Sequence, residues 1–481
     1  MLSREEIEIA YNAGLEAVIA LFEQQIQQTV ALIKRVESLE ARLNEDSHNS
    51  HKPPSSDGYS KTTRTQSQRK KTGRRSGGQP GHMGTTLEMV TQPDKVITHQ
   101  AERCQGCGAA LGAGVREINE RRQVFDIPPT EMEVTEHQLM RTVCECCGCE
   151  TVGEFPAQVS QRVQYGAGVK ALLVYWNAQQ LLPLERSCEV MSDVLGVSPS
   201  EGTLVNAISQ CAERLIPVEE QIKDAIIACK VVHFDETGMR IEAKLHWLHE
   251  AGTATLTYYR VHPKRGSKAL NAIGILPVFD GIAMHDAYAS YWQYDCKHAL
   301  CNAHLLRDLT AIEEQTGQDW TSGFKTLLIE IKGEVERRRQ LGGKRLDWKL
   351  LREYESRYAL HLAQGQQAHP PPEKVDHQRG RPKQTPARNL LDRMDEHRKS
   401  VLAFMYDFTV PFDNNLAERD LRMMKVKQKI SGCFRSLQGA EHFCRIRAYI
   451  STLRKQGLPV LHALRSLFEG SIVMPALGIS A

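Results

Sequence analysis

A short apolar run that ends in an acidic residue occurs twice in this chain, and this repetition restricts the fold more than any other feature. The β-prone run 231–234 leads into Asp235, and the run 281–285 leads into Asp286. Between them lie two more strand-like runs and a helix-prone stretch, at 244–250, 256–261 and 267–275. Three strands, a helix and a fourth strand are the element order of an RNase-H-like fold. Because the first and fourth strands are parallel neighbours there, we expect the two acids to lie close together.

Carboxylates held side by side repel each other unless cations lie between them, and oxygen ligands suit Mg²⁺, with Mn²⁺ as a substitute. Two such ions can activate the attacking oxygen and stabilise the leaving oxygen in phosphoryl transfer. A third carboxylate is needed, and Glu418 is the candidate, on a helix that Asp413 would cap. Asp413 and Asp420 remain alternatives for the third metal ligand.

The predicted helix around Glu418 is strongly basic. Arg422 and Lys425 follow Glu418 at i+4 and i+7, so one helix face would present the metal ligand and two phosphate-binding cations. Arg419 adds a further cation to the same helix. A solvated charged helix is the alternative, and it would be preferred if the two strand-end acids were absent.

Two CxxC-Gly segments indicate a structural zinc site. The pairs Cys104/Cys107 and Cys144/Cys147 are each followed by glycine, as in zinc knuckles, and two knuckles together make a tetrahedral four-thiolate site. Strand-like residues at 134–140 in the spacer favour a zinc ribbon. Cys146 and Cys149 offer a competing register for the second pair. A closed four-thiolate site has no open position, so we expect it to support folding and DNA positioning.

The N-terminal third combines a helix with a basic segment. Residues 1–45 are predicted to be helical throughout, and their apolar seam indicates a short coiled coil and self-association, with packing on the same chain as the alternative. Residues 58–86 contain no acidic residue. We therefore expect a flexible segment that contacts the DNA backbone, with a linker that has no partner as the alternative. Its basic residues are Lys61, Arg64, Arg69, Lys70, Lys71, Arg74 and Arg75.

Residues 160–225 are predicted to be helical and include a pattern typical of a helix-turn-helix. Gly196 would end the first helix, Ser198 would cap the second, and a recognition helix would span 199–214. The alternative is an ordinary helical hairpin in a core. Farther along, Cys296, Cys301 and His304 suggest a second metal site, and the last two have the spacing of metal ligands. A buried strand running into a helix is the preferred interpretation, and His298 or His304 could instead contact the scissile phosphate.

Composition places the chain among ordinary globular proteins. Apolar residues make up 41% and charged residues 25%, and the net charge is only +3. We expect no membrane segment, because no apolar run approaches the ~18 residues that a span requires. Thirteen cysteines in a chain without a signal-peptide pattern argue against a disulfide scaffold and favour a cytoplasmic, nucleoid-associated protein.

Over nearly its whole length, the chain resembles the transposases of the insertion sequence 66 family. The resemblance is carried by residues 49–58, 77–82, 182–186, 233–237, 298–309 and 413–419, together with the paired cysteines. It implies a DDE triad at Asp235, Asp286 and Glu418, a zinc finger over 104–147, and helper proteins encoded by the same element. One departure is Ala287, where glycine is usual in the family.

We therefore predict a multidomain α+β transposase that binds the terminal inverted repeats of an insertion sequence. It would cleave phosphodiesters and join the freed ends to target double-stranded DNA, acting as a homodimer or higher oligomer. A nuclease or resolvase without joining, and a non-catalytic DNA-binding regulator, are the alternatives. The predicted parts are a coiled-coil helix (1–45), a basic linker (46–95), a zinc ribbon (96–155), a helical DNA-binding unit (156–225), an RNase-H-like core (226–311 and 401–435), a helical insertion (312–400) and a C-terminal helical region (436–481).

Overall fold

The computed structural model describes residues 4–43, 87–112, 117–127, 132–372 and 384–478. Over these residues the protein is a mixed α/β structure in which helices predominate, with one five-stranded and one two-stranded sheet. No helix within the described ranges combines the length and the apolar composition that a membrane crossing requires.

The N-terminal helix is broken, where the sequence predicted one continuous helix. Helix α1 (Arg4–Ala13) ends before Gly14, whose φ of +107° lies outside the helical region, and α2 (Leu15–Leu43) follows. Apolar seam residues such as Leu15, Phe22 and Leu32 are exposed on α2, so self-association through this face stays a prediction. The predicted DNA-contacting residues 61–75 lie outside the described residues.

The region predicted as a zinc ribbon contains a small hairpin. Strands β1 (Arg141–Val143) and β2 (Glu150–Val152) pair antiparallel around the second CxxC segment. The prediction of a strand over 134–140 was wrong, because hydrogen-bonded pairing begins only at Arg141, immediately beside the tight cysteine turn.

Helices follow, as predicted: α3 (Ala167–Val174), a π-helical turn (Tyr175–Gln179), α4 (Leu184–Leu195), α5 (Glu201–Arg214) and α6 (Ile216–Ile227). Gly196 ends α4 in the left-handed conformation, which confirms that prediction. The predicted cap at Ser198 was wrong. Ser200 caps α5 by accepting a hydrogen bond from the Thr203 backbone N–H, whereas the Ser198 hydroxyl pairs with that of Ser192.

The central sheet has the strand order β5-β4-β3-β6-β7. Its members are β3 (Val231–Ile241), β4 (Lys244–Gly252), β5 (Thr257–His262), β6 (Ile282–His285) and β7 (Lys297–Leu300), with α7 (Ser267–Ile273) between β5 and β6. The pairs β3–β4 and β4–β5 are antiparallel, whereas β3–β6 and β6–β7 are parallel. The predicted parallel neighbourhood of the first and fourth strands is confirmed.

The helices that follow cover this sheet from different sides. The helices between Asn302 and Tyr406, numbered α8 to α13, share a core with Met284 of β6 and Leu300 of β7. These helices therefore pack directly on the sheet. Helix α15 packs along β5 and contributes to the two other large cores. The bounds are α8 (Asn302–Thr316), α9 (Asp319–Gln340), α10 (Trp348–Ala368), α11 (Pro386–Glu396), α12 (Arg398–Val401), α13 (Ala403–Tyr406), α14 (Asn415–Ser431), α15 (Leu437–Lys455) and α16 (Val460–Glu469).

Candidate active site

Asp235 and Asp286 lie at the same end of the parallel pair β3–β6. The last paired residues are His233 and Met284, so Asp235 follows two residues later and Asp286 comes directly after β6. Taken as whole residues, both are half-buried. Asp235 does not end its strand as predicted, because β3 continues to Ile241 through antiparallel pairing with β4. It lies where β3 leaves β6 but stays paired with β4.

The turn after β6 fixes the direction of Asp286. The Asp286 Oδ1 accepts a hydrogen bond from the Tyr288 backbone N–H at 2.9 Å, and His285 Nδ1 accepts one from Ala287 at 3.1 Å. Ala287 has a φ of +73°, a conformation that glycine adopts without steric cost and alanine does not. The turn is therefore held by hydrogen bonds against local backbone strain.

Buried histidine rings support this turn from behind. Because His285 Nδ1 accepts from Ala287, its Nε2 carries the proton and donates to His298 Nδ1 at 3.0 Å. His298 Nε2 in turn lies 3.2 Å from the carbonyl oxygen of Tyr294. Burial lowers the pKa of His285 well below its usual range, so the ring is neutral. This arrangement makes His285 a support of the Asp286 turn.

Glu418 is the fourth residue of α14 and points toward α8. Its Oε1 accepts a hydrogen bond from Arg307 at 3.2 Å and lies 3.7 Å from His304 Nε2. Helix α14 begins at Asn415, one residue later than a cap at Asp413 would place it, because Asn414 occupies the capping position without a side-chain bond. The Asp413 carboxylate still accepts a hydrogen bond from the Asn415 backbone N–H.

The alternative third acids have other partners. Asp420 pairs with Lys455 at 2.5 Å. The Asp413 Oδ2 lies 3.9 Å from Lys332 Nζ. Glu418 pairs with Arg307 as well, and its charge raises the pKa of Asp235.

Within the described residues, Asp235, Asp286 and Glu418 do not form one group of metal-ligand atoms, but their charges act on one another. Burial raises the pKa of Asp235 well above its usual range, and the nearby carboxylates of Glu236 and Asp286 raise it further. Glu418 contributes in the same direction. Asp235 is therefore surrounded by negative charge, and a divalent cation bound there would relieve this repulsion. The oxygen donors fit a hard cation such as Mg²⁺.

Sequence reasoning missed Glu236, which belongs to the same cluster. This buried carboxylate accepts hydrogen bonds from Tyr291 Oη at 2.5 Å and Arg265 Nε at 2.6 Å. The Arg265 guanidinium lies over the rings of Tyr288 and Trp247. Its position directly after Asp235 in the chain was the one sequence signal that could have indicated Glu236 as part of the site. Its partners come from separate segments that no local pattern connects.

A second missed acid is Glu250, which lies opposite Asp235 in the antiparallel register of β3 and β4. Its side chain is fully buried, and burial together with the Asp420 charge raises its pKa well above the usual range. Glu250 extends the acidic cluster into the space between the sheet and α14.

The basic residues of α14 divide into two groups. Arg419 and Arg422 are exposed, as a phosphate-binding surface requires. Lys425 is half-buried and donates a hydrogen bond to the Gly238 carbonyl at 3.1 Å. Lys427 is buried between the rings of Phe434 and Phe443, and burial lowers its pKa to about 8.

Both CxxC-Gly segments form the same tight turn. The Gly108 backbone N–H donates to the Cys104 carbonyl at 2.9 Å, and Gly148 donates to Cys144 at 2.8 Å. Both glycines have positive φ, +75° and +69°. The glycine after each cysteine pair therefore closes its turn, as the sequence predicted.

Cys107 and Cys147 occupy the same place in the two turns. Hydrogen bonds from Cys107, first from its backbone N–H and also from its thiol, lower the pKa of Cys104. Cys147 acts on Cys144 in the same way. A lowered pKa favours the thiolate that zinc needs. The equivalence of the two turns supports Cys144/Cys147 over the competing pair that Cys146 would form with Cys149.

Within the described residues the four sulfurs do not form one ligand group, and their assignment to one tetrahedral site stays a prediction. Each cysteine pair stays within its own turn, and Cys107, Cys144 and Cys147 are exposed while Cys104 is half-buried. The four cysteines Cys104, Cys107, Cys144 and Cys147 thus remain proposed zinc ligands rather than an observed cluster.

Another group of potential ligands is assembled. Within the described ranges, the one group of three or more potential metal ligands in mutual contact is Cys301, His304 and Glu418. The preferred sequence interpretation, a buried strand running into a helix, holds for the backbone here, because β7 leads through the buried Cys301 into α8.

Comparison with known families agrees with this architecture. Residues 162–442, more than half of the chain, match the family model described as "Transposase IS66 family". Residues 101–148 match the zinc-finger binding domain of transposase IS66, which supports a structural zinc site. Residues 4–88 match a family of unknown function. No curated protein matches the chain significantly.

The mixed sheet with its acidic cluster and the matched region together define a protein of the transposase class. The chain belongs to the IS66 family of transposases, which confirms the resemblance found in the sequence.

Proposed function

We propose that the protein is a DDE DNA transposase with an RNase-H-like core. The observation that carries the proposal is the placement of Asp235 and Asp286 at one end of the parallel strands β3 and β6, with Glu418 close enough to raise the pKa of Asp235. The strand order β5-β4-β3-β6-β7, with its antiparallel half and its parallel half, supports the assignment of the core.

In this proposal Asp235, Asp286 and Glu418 hold Mg²⁺, with Mn²⁺ as a substitute. The ions would supply charge neutralisation and Lewis-acid activation at the phosphate. Arg265 and Tyr291 keep Glu236 in place beside Asp235. The turn at Ala287 keeps the Asp286 carboxylate directed toward the site.

The substrate is double-stranded DNA at the ends of an insertion sequence. Arg419 and Arg422 of α14 are exposed beside Glu418 and would contact the phosphate backbone, and Lys425 would join them on release from Gly238. The basic residues 61–75 and the zinc ribbon would add contacts to the terminal inverted repeats. Hydrolysis at an element end frees a 3′-hydroxyl, which attacks target DNA in the same site.

Joining two ends requires two sites, so the proposal includes a homodimer or higher oligomer that associates through the exposed apolar face of α2. Helper proteins encoded by the same element complete the assembly. The DNA-reading role of α4 and α5 remains part of the proposal, although exposed residues such as Glu201 and Glu213 make the surface of α5 acidic.

A strand-transfer assay tests the proposal. Purified protein, Mg²⁺, supercoiled plasmid and labelled pre-cleaved element ends are mixed, and Asp235→Asn, Asp286→Asn and Glu418→Gln are compared with wild type. Asp280→Asn, at an exposed acid outside the cluster, is the matched control. Joined products from wild type and the control alone support a transposase. Cleavage without joining would identify a nuclease instead, and DNA binding without either reaction, even with the helper proteins added, would identify a regulator.

A further inference from the structure

The starts of two helices meet beside the candidate active site. Cys301 lies between β7 and α8 and caps α8, and His304 lies in the first turn of that helix. The buried Cys301 Sγ accepts a hydrogen bond from the backbone N–H of Asn414, the residue that caps α14, at 3.1 Å. The first turns of α8 and α14 are thereby held against each other.

Three side chains of different chemistry converge at this junction. The Sγ of Cys301, a ring nitrogen of His304 and a carboxylate oxygen of Glu418 all lie within 4.8 Å of one another. We propose that these three residues bind Zn²⁺, as a site separate from the four-cysteine ribbon.

The donor set favours zinc over magnesium. Thiolate, imidazole and carboxylate are all established zinc ligands, whereas Mg²⁺ prefers oxygen ligands alone. One thiolate and one carboxylate carry two negative charges, which a divalent ion neutralises, so the occupied site has no net charge to bury. Three protein ligands leave a fourth tetrahedral position for water.

Burial raises the pKa of the Cys301 thiol to about 12, so the bound ion itself would displace the thiol proton, whereas the other surroundings favour zinc directly. Helix N-termini favour negative charge, and here two of them, from α8 and α14, face the thiolate and carboxylate ligands. The side chains of His304 and Glu418 are 14% and 25% exposed, which gives an ion access from solvent while Cys301 closes the inner side. Arg307 now neutralises Glu418, and the bound ion would replace it in that role.

Zinc at this site would hold the Glu418 carboxylate toward α8. Glu418 could then no longer complete the Mg²⁺ site with Asp235 and Asp286, so zinc would inhibit DNA cleavage. This consequence rests on the proposed function, whereas zinc binding itself does not.

Metal counting on the full-length protein tests the site. The protein is stripped of metal and reloaded with Co²⁺, and bound cobalt is measured by elemental analysis and by the absorption of cobalt–thiolate bonds. We expect wild type to bind one cobalt more per chain than His304→Ala or Cys301→Ser. The matched controls His442→Ala and Cys296→Ser, which change a half-buried histidine and cysteine elsewhere, should bind as many as wild type.

Equal cobalt content in wild type and His304→Ala would overturn the proposal, and this variant decides the matter if Cys301→Ser does not fold. The ribbon contributes equally to all these proteins, so its occupancy does not affect the difference. A second arm adds Zn²⁺ to Mg²⁺-supported cleavage. Inhibition of wild type but not of Cys301→Ser supports the shared use of Glu418, and equal inhibition of both overturns it. If no protein cleaves DNA, the proposed function fails while the cobalt count still decides the zinc site.

Discussion

The Oδ1 of Asn414 lies 2.7 Å from Nδ1 of His233, and this contact ties the helix that carries Glu418 to the strand that carries Asp235. The Asn414 Nδ2 also donates to the Phe234 carbonyl at 2.9 Å, so Oδ1 is the acceptor and His233 the donor. Asn414 is fully buried, and burial lowers the pKa of His233, which keeps the ring neutral. At the start of α14, the spacing between the first and third acids therefore depends on this buried amide.

Asn414→Ala should reduce DNA cleavage about 10- to 100-fold, as expected when a residue that orients a metal ligand is lost. The Mg²⁺ concentration that gives half-maximal cleavage should rise as well. A general loss of stability would lower the amount of folded protein but would leave this concentration unchanged. The control is Asn415→Ala, which changes the exposed neighbouring asparagine. Unchanged Mg²⁺ dependence in Asn414→Ala would contradict a positioning role.

Asp235→Asn should stabilise the Mg²⁺-free protein, and more so at pH 8 than at pH 5. The folded-state pKa of Asp235 is raised, so the folded protein binds this proton more tightly than the unfolded chain. The stabilisation from the protonated Asp235 carboxyl is fully present below about pH 4, which is the pKa of this group in the unfolded chain. It is lost as the pH rises through the higher pKa of the folded protein. Thermal unfolding of wild type and variant at both pH values measures the difference. Asp280→Asn should show no such pH-dependent gain, and an equal gain in both variants would argue against the acidic cluster as its cause.

Ala287→Gly should stabilise the protein by about 1 kcal/mol, because glycine adopts a φ of +73° without strain. In thermal unfolding this corresponds to a rise in Tm of roughly 1–2 °C. Ala289→Gly, at an exposed position close by in the chain, is the control and should not stabilise. A lower Tm for Ala287→Gly would show that the alanine methyl group contributes more through packing than its backbone costs.

The two possible cysteine registers predict different zinc contents. Cys144→Ser and Cys147→Ser should lose the ribbon zinc, whereas Cys146→Ser should keep it, because Gly148 forms with Cys144 the same turn that Gly108 forms with Cys104. Elemental analysis of the purified variants provides the measurement. Zinc loss in Cys146→Ser with retention in Cys144→Ser would establish the other register.

Arg422→Ala should weaken DNA binding about equally for all sequences and lower the slope of log K against log salt concentration by about 1, as expected for one lost phosphate contact. Lys425→Ala should change this slope less, because Lys425 donates to the Gly238 carbonyl. Filter binding or fluorescence anisotropy over a salt series measures both slopes. Equal slopes for wild type and Arg422→Ala would show that Arg422 does not contact the DNA backbone.

The strands of the central sheet were predictable because alternating and apolar runs mark them directly, and the pairing of β3 with β6 followed from their order. The full length of β3 was not predictable. Its extension past Asp235 depends on β4, which pairs with it as far as Ile241 through a turn that the sequence does not mark strongly. The cap of α5 was likewise not predictable, because Ser198 and Ser200 are both suitable capping residues. Ser200 caps the helix because its hydroxyl reaches the Thr203 backbone N–H.

The candidate site was predicted as three acids, but its supporting residues were not. Glu236, Arg265 and Tyr291 come from different elements and meet only after the sheet has formed. Glu250 looks like an ordinary strand residue until the register places it opposite Asp235. Tertiary contacts of this kind leave no periodic trace in a single sequence.

Helix α15 covers the edge strand β5, and the Thr257 backbone donates to the Thr452 hydroxyl at 3.0 Å within this contact. The strands that bear the first two acids share a core with the same helix, because Ile446 and Ile450 of α15 pack in one cluster with Val232 of β3 and Ala283 of β6. Contacts between segments so far apart in the chain require a long loop to close first, and such contacts slow folding. We therefore expect the sheet to complete its packing late in folding, after the local helices have formed.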